Sequence, residues 1–320
     1  MKEYRMHSST LTRYTIIIPH NNIPDLLKNC LSTIPIREDI QVIIVDDNSN
    51  EFNKNKVKEI ESEYKSFEFY YFDYNKGAGA ARNYGLEKAK GKWIIFVDSD
   101  DLLIENAAFI WDNYTELYHS YDILFFQEKC ISEYKSNTYN SLKIKNIKRL
   151  CKIEKELNKY LKYCVYQPWS KLFSYEFIKK YSIKFQESEV ANDMYFSILT
   201  GFYSTKIKFI PQQFYIYIIR PNSLSFNEII DSKKLLSRIK VFYSAENFYK
   251  KNKILLRPFT LYLIYLKRIL KEDQFRNILY DIYNDLNYRY SYWKCATASI
   301  LQVPRKIFEF FRLPISGIKF

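Results

Sequence analysis

This chain is short of the devices by which a sequence usually announces its chemistry. Its 320 residues include six glycines, three histidines and five cysteines. Cys30, Cys130, Cys151, Cys164 and Cys295 stand far apart, with no Cys-x-x-Cys pair. That excludes a zinc ribbon or a disulfide scaffold and fits reduced, structural thiols. His7, His20 and His119 are isolated and lack metal-ligand spacing, so they read as structural. No run of 18 apolar residues occurs, which excludes a conventional spanning helix. Met1 to Arg13 is polar and charged, unlike a secretory leader. These absences give a cytoplasmic expectation. The dinucleotide fingerprint Gly-x-Gly-x-x-Gly is also broken, because Arg82 stands where a third glycine would follow Gly77 and Gly79.

Aromatic residues, by contrast, are in surplus, with 30 Tyr and 24 Phe. Together with abundant Lys, Asn and Ile they look like the bias of an AT-rich genome and carry no functional weight. Charge says more. The net charge is +13, and residues 231–320 hold +11 of it. This asymmetry marks a boundary and points the C-terminal part toward something anionic.

Patterning is clearest in the first third. Tyr14 to Pro19 reads as a strand stopped by proline, and Pro24 to Thr33 as a helix. Gln41 to Val45 reads as a buried strand, Phe67 to Tyr71 as a third, Gly77 to Ala89 as a helix and Trp93 to Val97 as a fourth strand. Continuous apolar strands alternating with helices predict an α/β fold with a mostly parallel central sheet flanked by helices. Ligands of such sheets bind beyond the carboxyl ends of the strands. Pro19-His20-Asn21-Asn22, Asp46-Asp47 and Asp98-Ser99-Asp100-Asp101 all fall at such ends. Further on, the spacing predicts a loop-plus-helix insertion over 128–158, helices over 166–178 and 193–200, and a strand over 209–218. A basic helical C-terminal extension follows, with Leu235, Leu236, Ile239 and Phe242 at amphipathic spacing.

The segment Trp93-Ile-Ile-Phe-Val-Asp-Ser-Asp-Asp101 is the most informative. Alternating carboxylates on an extended backbone can converge on one hard divalent cation. The alternative is a solvated turn in which Asp101 caps a following helix. Lys76 and Arg82 flank the start of a helix rich in small residues, a placement suited to a phosphate or a base edge. The alternative is that the glycines end a turn and Arg82 pairs with a surface carboxylate.

Thr15-Ile-Ile-Ile-Pro19, Ile43-Ile-Val-Asp-Asp-Asn-Ser49, Asn75-Lys-Gly-x-x-x-Ala-Arg-Asn83 and Phe96-Val-Asp-Ser-Asp-Asp101 follow one another in this order. In that order and spacing they resemble the motifs of family 2 glycosyltransferases of the bacterial surface-polysaccharide type, which have the GT-A fold. The resemblance continues through Pro168-Trp-Ser-Lys-Leu-Phe173, Asn192-Asp193 and Arg220-Pro-Asn-Ser-Leu. It implies a GT-A catalytic domain over 1–226, with a nucleotide-sugar half at about 14–110 and an acceptor half at about 111–226. Residues 227–320 would be the basic helical region.

By the same resemblance Pro19, Asp46, Asp47, Lys76, Arg82 and Asp98 would contact the donor. Asp100 and Asp98 would hold Mn²⁺ or Mg²⁺, Asp193 would be the catalytic base, and Trp169 and Lys171 would border the acceptor. Two departures stand out. Asn21 replaces the family's usual Tyr, and Asn192 replaces the Glu of its Glu-Asp pair. The implied activity is inverting, metal-dependent transfer of a sugar from a nucleotide-diphosphate donor, a UDP-sugar, to a glycan or lipid-linked acceptor. A processive synthase would need spanning helices and a Gln-x-x-Arg-Trp motif, and no Arg-Trp occurs. A nucleotidyltransferase would share the metal-diphosphate site but release pyrophosphate. A nucleic-acid partner is not expected, since aspartate-rich strand ends repel phosphates. The segment Val303 to Ile315 mixes Arg305, Lys306 and Arg312 with phenylalanines. Such a segment suits either an anionic membrane surface, making the protein peripheral on the inner face of the cytoplasmic membrane, or a packed helical cap.

Overall fold

The structure, a computed structural model, describes residues 11–132, 154–188, 190–220 and 232–254, with single positions at 263, 266 and 277. The basic aromatic segment 303–315 and most of the expected 128–158 insertion lie outside the described residues.

The alternating pattern of the first third folds as its periods predict. Strands β1 (Tyr14–His20), β2 (Ile40–Asp46), β3 (Glu68–Tyr71) and β4 (Trp93–Phe96) alternate with helices α1 (Pro24–Leu31), α2 (Glu51–Glu63) and α3 (Ala78–Lys88). Every residue of β1, β2 and β4 is buried, the mark of strands covered on both faces. They pair in parallel in the order β3-β2-β1-β4.

Pro19 does not end its strand, as the sequence suggested, because β1 runs on to His20. The β1–β4 ladder closes at Ile17↔Phe96, and the Ile17 carbonyl accepts the Val97 N–H at 3.1 Å. Two residues on, Pro19 faces the same side where no strand remains, so its missing N–H deprives no partner.

The other half of the sheet is mixed. It comprises β5 (Leu102–Leu103), α4 (Ala107–Leu117), β6 (Ile123–Ser132), β7 (Lys171–Ser174), α6 (Tyr175–Lys180) and β8 (Ile207–Ile219). The full order is β3-β2-β1-β4-β7-β6-β8-β5, with β7 antiparallel to both β4 and β6 and β5 antiparallel to β8. The continuous helix expected over 166–178 is thus a strand followed by a short helix. Leu172 and Phe173 are fully buried between β4 and β6, and so short an apolar run has no period of its own to separate strand from helix. Likewise β6 reaches Ser132, inside what read as an insertion.

The chain packs as two units. The first takes the described parts of Met1–Ile131, Pro168–Glu187 and Tyr203–Ile218 and contains the sheet. The second takes those of Ser132–Gln167, Ser188–Phe202 and Ile219–Phe320. It contains α5 (Glu154–Cys164), α7 (Asn192–Tyr203, apart from its last residue) and α8 (Ser232–Lys251). Within it Leu235, Ile239 and Phe242 of α8 are buried, on the stripe their spacing predicted. The Tyr249 hydroxyl donates to the Tyr163 carbonyl at 3.4 Å. No helix among the described residues is long and apolar enough to cross a membrane.

Gly91 opens β4 where the backbone of β1 leaves no room. A Cβ there would sit 2.5 Å from both Thr15 N and Tyr14 C, and the Gly91 N–H already donates to Thr15 Oγ1 at 2.9 Å. Backbone cannot swing aside as a flexible side chain can. Gly91→Ala should therefore destabilise the protein by about 1–3 kcal/mol. The measure is the urea midpoint at unchanged m-value, and a midpoint equal to that of the parent chain would contradict the packing described.

Candidate active site at the carboxyl ends of β1, β2 and β4

The four parallel strands deliver their last residues to one edge, with His20 opposite Asp46 and Asp46 opposite Tyr71. The turns leaving β1 and β2 are tight. Asn22 and Asn48 adopt φ of 58° and 56°, a left-handed conformation that asparagine tolerates better than most residues. Asn22 also ties two loops together. Its N–H donates to Ser49 Oγ at 2.8 Å, and its Oδ1 accepts the Asn50 N–H at 2.8 Å.

His20 and Asp46 are buried against each other, Nδ1 to Oδ2 at 2.7 Å, while the Ile23 N–H donates to His20 Nε2 at 3.2 Å. An acceptor role at Nε2 puts the proton on Nδ1. His20 is therefore the neutral Nδ1–H tautomer and donates to Asp46. Ser49 adds its hydroxyl to the same Oδ2 at 2.6 Å and its N–H to Oδ1 at 2.8 Å. Burial pushes the Asp46 carboxyl up, but these hydrogen bonds outweigh it and leave the group below the ordinary aspartate value. The Asp46 carboxylate thus ties the end of β1 to the loop that follows β2.

Asp47 performs the same service one loop further along. Its two oxygens accept the N–H groups of Lys76 and Gly77, each at 2.7 Å, and its carbonyl accepts from Asn21 and Asn75. Here burial dominates, and the two N–H groups only partly offset a raised carboxyl. Gly77 takes φ 86° as the N-cap of α3, a conformation that a side chain would resist. Pro19 is buried in β1. Lys76 is exposed, its ammonium 4.5 Å and 4.7 Å from the ring centres of Phe72 and Tyr74.

On α3, Arg82 is buried and pairs with Asp98 Oδ1 at 2.7 Å. Its neighbour Asn83 forms a two-point clamp on the backbone of Phe185. The Asn83 Nδ2 donates to the Phe185 carbonyl at 3.0 Å, and its Oδ1 accepts the Phe185 N–H at 2.8 Å. This clamp had no signal in the sequence beyond the motif itself, because Phe185 lies a hundred residues away.

After β4 the chain turns through three carboxylates. Oxygens of Asp98, Asp100 and Asp101 lie within 4.8 Å of one another. Asp98 and Asp100 are half-buried, whereas Asp101 is buried. Asp101 does not cap a helix, since β5 follows it directly. Its Oδ2 accepts the Tyr215 hydroxyl at 2.6 Å and its Oδ1 the Ile218 N–H at 2.8 Å. Burial, reinforced by Asp100 and Asp98, pushes its carboxyl well above the ordinary aspartate value.

The residues expected to border the acceptor sit deeper. Trp169 is buried and stacked on Tyr215 and Tyr217, with ring centres 5.0 Å and 5.1 Å apart. Lys171 is buried in β7 with its ammonium 5.0 Å from the ring centre of Phe125. Asp193 is in the first turn of α7, half-buried, in the second unit.

Residues 15–108 match the family described as "Glycosyl transferase family 2". Over those residues the chain carries a family 2 glycosyltransferase domain. The chain is 25% identical over 228 residues to glycosyltransferase GlyA of Streptococcus pneumoniae, covering 67% of itself and 31% of that protein. It is 34% identical over 110 residues to the poly(ribitol-phosphate) beta-glucosyltransferase of Bacillus spizizenii, covering 32% of itself and 17% of that protein. The chain thus spans under a third of the length of these curated relatives. Its fold is similar to S. aureus TarS 1-349 in complex with UDP-GlcNAc, at TM-score 0.57, 17% identity, and 93% and 78% coverage of the two chains. It is also similar to the mannosyltransferase PcManGT of Pyrobaculum calidifontis in complex with GDP-Man and Mn²⁺, at TM-score 0.54, 14% identity, and 91% and 84% coverage. The sheet and its helices are the GT-A fold that the motifs implied.

The His20–Asp46 contact can be tested within this domain. His20→Ala leaves the buried Asp46 carboxylate one donor short and the Ile23 N–H without its acceptor. Such a loss costs about 2–4 kcal/mol. His20→Gln, which can offer both a donor and an acceptor, should recover part of it. Equal melting temperatures for parent and alanine variant would refute the role of His20 as a fastener.

Proposed function

We propose that the protein is an inverting, metal-dependent glycosyltransferase, hexosyl or N-acetylhexosaminyl, that draws on a nucleotide-diphosphate sugar, specifically a UDP-sugar. Its acceptor is a glycan or lipid-linked intermediate of surface-polysaccharide synthesis. The observation that carries the reading is the convergence of Asp98, Asp100 and Asp101 at the end of β4, beside Arg82. Carboxylate oxygens are the donors that Mn²⁺ and Mg²⁺ favour, so this set fits such a cation, with Asp100 and Asp98 as its ligands. Arg82 pairs with Asp98, but carboxylates this close still repel one another, and a cation among them would relieve that repulsion. The fold neighbours support the reading, one bound to UDP-GlcNAc and another to GDP-Man and Mn²⁺. The similarity to a poly(ribitol-phosphate) beta-glucosyltransferase supports a polymer acceptor.

Asp100 and Asp98 would hold the cation, which when bound would neutralise charge on the departing diphosphate. The chain's own residues do the remainder. Arg82 lies beside Asp98 and adds a second positive group for the phosphates. The loops stitched by Asp46, Asp47, Asn21 and Asn22 hold the base and ribose, with Pro19 behind them. Asp193 accepts the proton of the acceptor hydroxyl as that oxygen bonds to the anomeric carbon and the bond from that carbon to the diphosphate oxygen breaks. Nucleoside diphosphate leaves, and one displacement inverts the centre. Trp169 and Lys171 shape the acceptor side from beneath. The basic C-terminal segment brings the enzyme to an anionic membrane surface carrying the lipid-linked acceptor.

Asp100→Ala should abolish transfer and remove the metal-dependent part of UDP binding in a calorimetric titration. A variant that transfers sugar at the parent rate and still requires metal would displace the site. Release of nucleoside diphosphate, not pyrophosphate, distinguishes transfer of sugar from transfer of a nucleotide. Asp193→Asn should leave UDP affinity intact while turnover falls by about two to four orders of magnitude. Loss of affinity in step with turnover would reassign Asp193 to the donor or the fold.

A further inference from the structure

The acidic turn after β4 is held from a distance. Tyr215, in β8, is fully buried, and its hydroxyl makes two bonds to that turn. It donates to Asp101 Oδ2 at 2.6 Å and accepts the Asp98 N–H at 3.2 Å. The Ile218 N–H occupies the other Asp101 oxygen at 2.8 Å. Around these, Leu102 and Leu103 pair with Ile216 and Tyr215, and the Ile104 N–H donates to the Phe214 carbonyl at 3.0 Å. The ring of Tyr215 is itself fixed by its stack on Trp169, whose planes differ by only 4°. A buried hydroxyl shared between a buried carboxylate and a backbone N–H leaves that turn little freedom.

Geometry therefore separates the three aspartates. The Asp101 oxygens are engaged by the Tyr215 hydroxyl and the Ile218 N–H, and the residue is 1% exposed, whereas Asp98 and Asp100 retain partial exposure. We propose that Asp101 is the pin of the cation site and not one of its ligands, and that Tyr215 is a positioning residue that sets the separation of Asp98 and Asp100. The inference rests on the reading of Asp98 and Asp100 as ligands, and it assigns a function to a tyrosine 114 residues further along the chain. Outer-shell partners that orient ligating groups typically change metal affinity when removed.

The test is Mn²⁺ binding to the purified full chain without donor or acceptor, followed by the electron paramagnetic resonance signal of free Mn²⁺. Tyr215→Phe keeps the ring and its stack but deletes the hydroxyl, and it should weaken Mn²⁺ affinity about 10- to 100-fold. Tyr217→Phe, a neighbouring tyrosine on the same Trp169 stack, should stay within about twofold, which separates positioning from a general loss of packing. Parent binding with unchanged or tighter binding by Tyr215→Phe overturns the proposal. Freeing an Asp101 oxygen would then have served a direct ligand. Absence of Mn²⁺ binding in the parent chain overturns the ligand reading itself, a distinguishable failure. If Tyr215→Phe does not fold, Ile218→Pro removes the other hydrogen bond to Asp101 without altering any carboxylate. It should show the same loss, and parent-like affinity in that variant likewise overturns the proposal.

Discussion

A carboxylate taken out of water must find donors, and that requirement organises the working edge of this protein. Asp46 and Asp47 lie at the end of β2 with almost no exposure. The donors they recruit come from three separate places: His20 at the end of β1, Ser49 after β2, and Lys76 with Gly77 before α3. Each bond closes one loop onto the next. The loops that a parallel sheet would otherwise leave loose become a single framework. The consecutive aspartates are thus hubs of backbone organisation before they are anything to a ligand.

The acidic turn after β4 obeys the same rule with a different donor. Asp101 finds the Tyr215 hydroxyl and the Ile218 N–H, and Asp98 finds Arg82. The difference between the aspartates of this turn lies in what surrounds each carboxyl group, because their chemistry is identical. Two half-exposed carboxylates stand on a turn whose third is buried and fixed, an arrangement suited to a cation that tolerates little change in ligand spacing.

How much of this could be read from the sequence depends on the range of the contacts. The parallel half of the sheet was legible because β1, β2 and β4 are continuous apolar runs that need no partner to identify them. The strand β7 was not, since Lys171 to Ser174 is short and carries a lysine. Only the flanking β4 and β6 make those residues a strand. Pro19 misled for a related reason, because whether a missing N–H matters depends on where the neighbouring strand stops. The aspartates were visible as a cluster, but their division of labour was not. It is set by Tyr215 and Ile218, which contact them only after the chain has returned. His20 was read as structural, but its place beside Asp46 needed the β1–β2 register. Asn83 and Phe185 likewise meet only in three dimensions.

The return of β8 to Asp101 bears on how such a chain assembles and diversifies. The matched family domain ends at residue 108, yet the turn it contains is not secured until residues 215 and 218 have folded against it. Contacts so distant in sequence form late, so a nascent chain exposes an unpinned acidic turn until residue 218 has been synthesised. The intervening stretch supplies β6 and β7, which stand between β4 and β8 in the sheet, and Trp169, which stacks on Tyr215. Provided that β6, β7 and β8 keep their places in the sheet, the connections between them can grow or shrink without moving the aspartates. A scaffold built this way can exchange one connecting segment for another while the acidic turn keeps its shape.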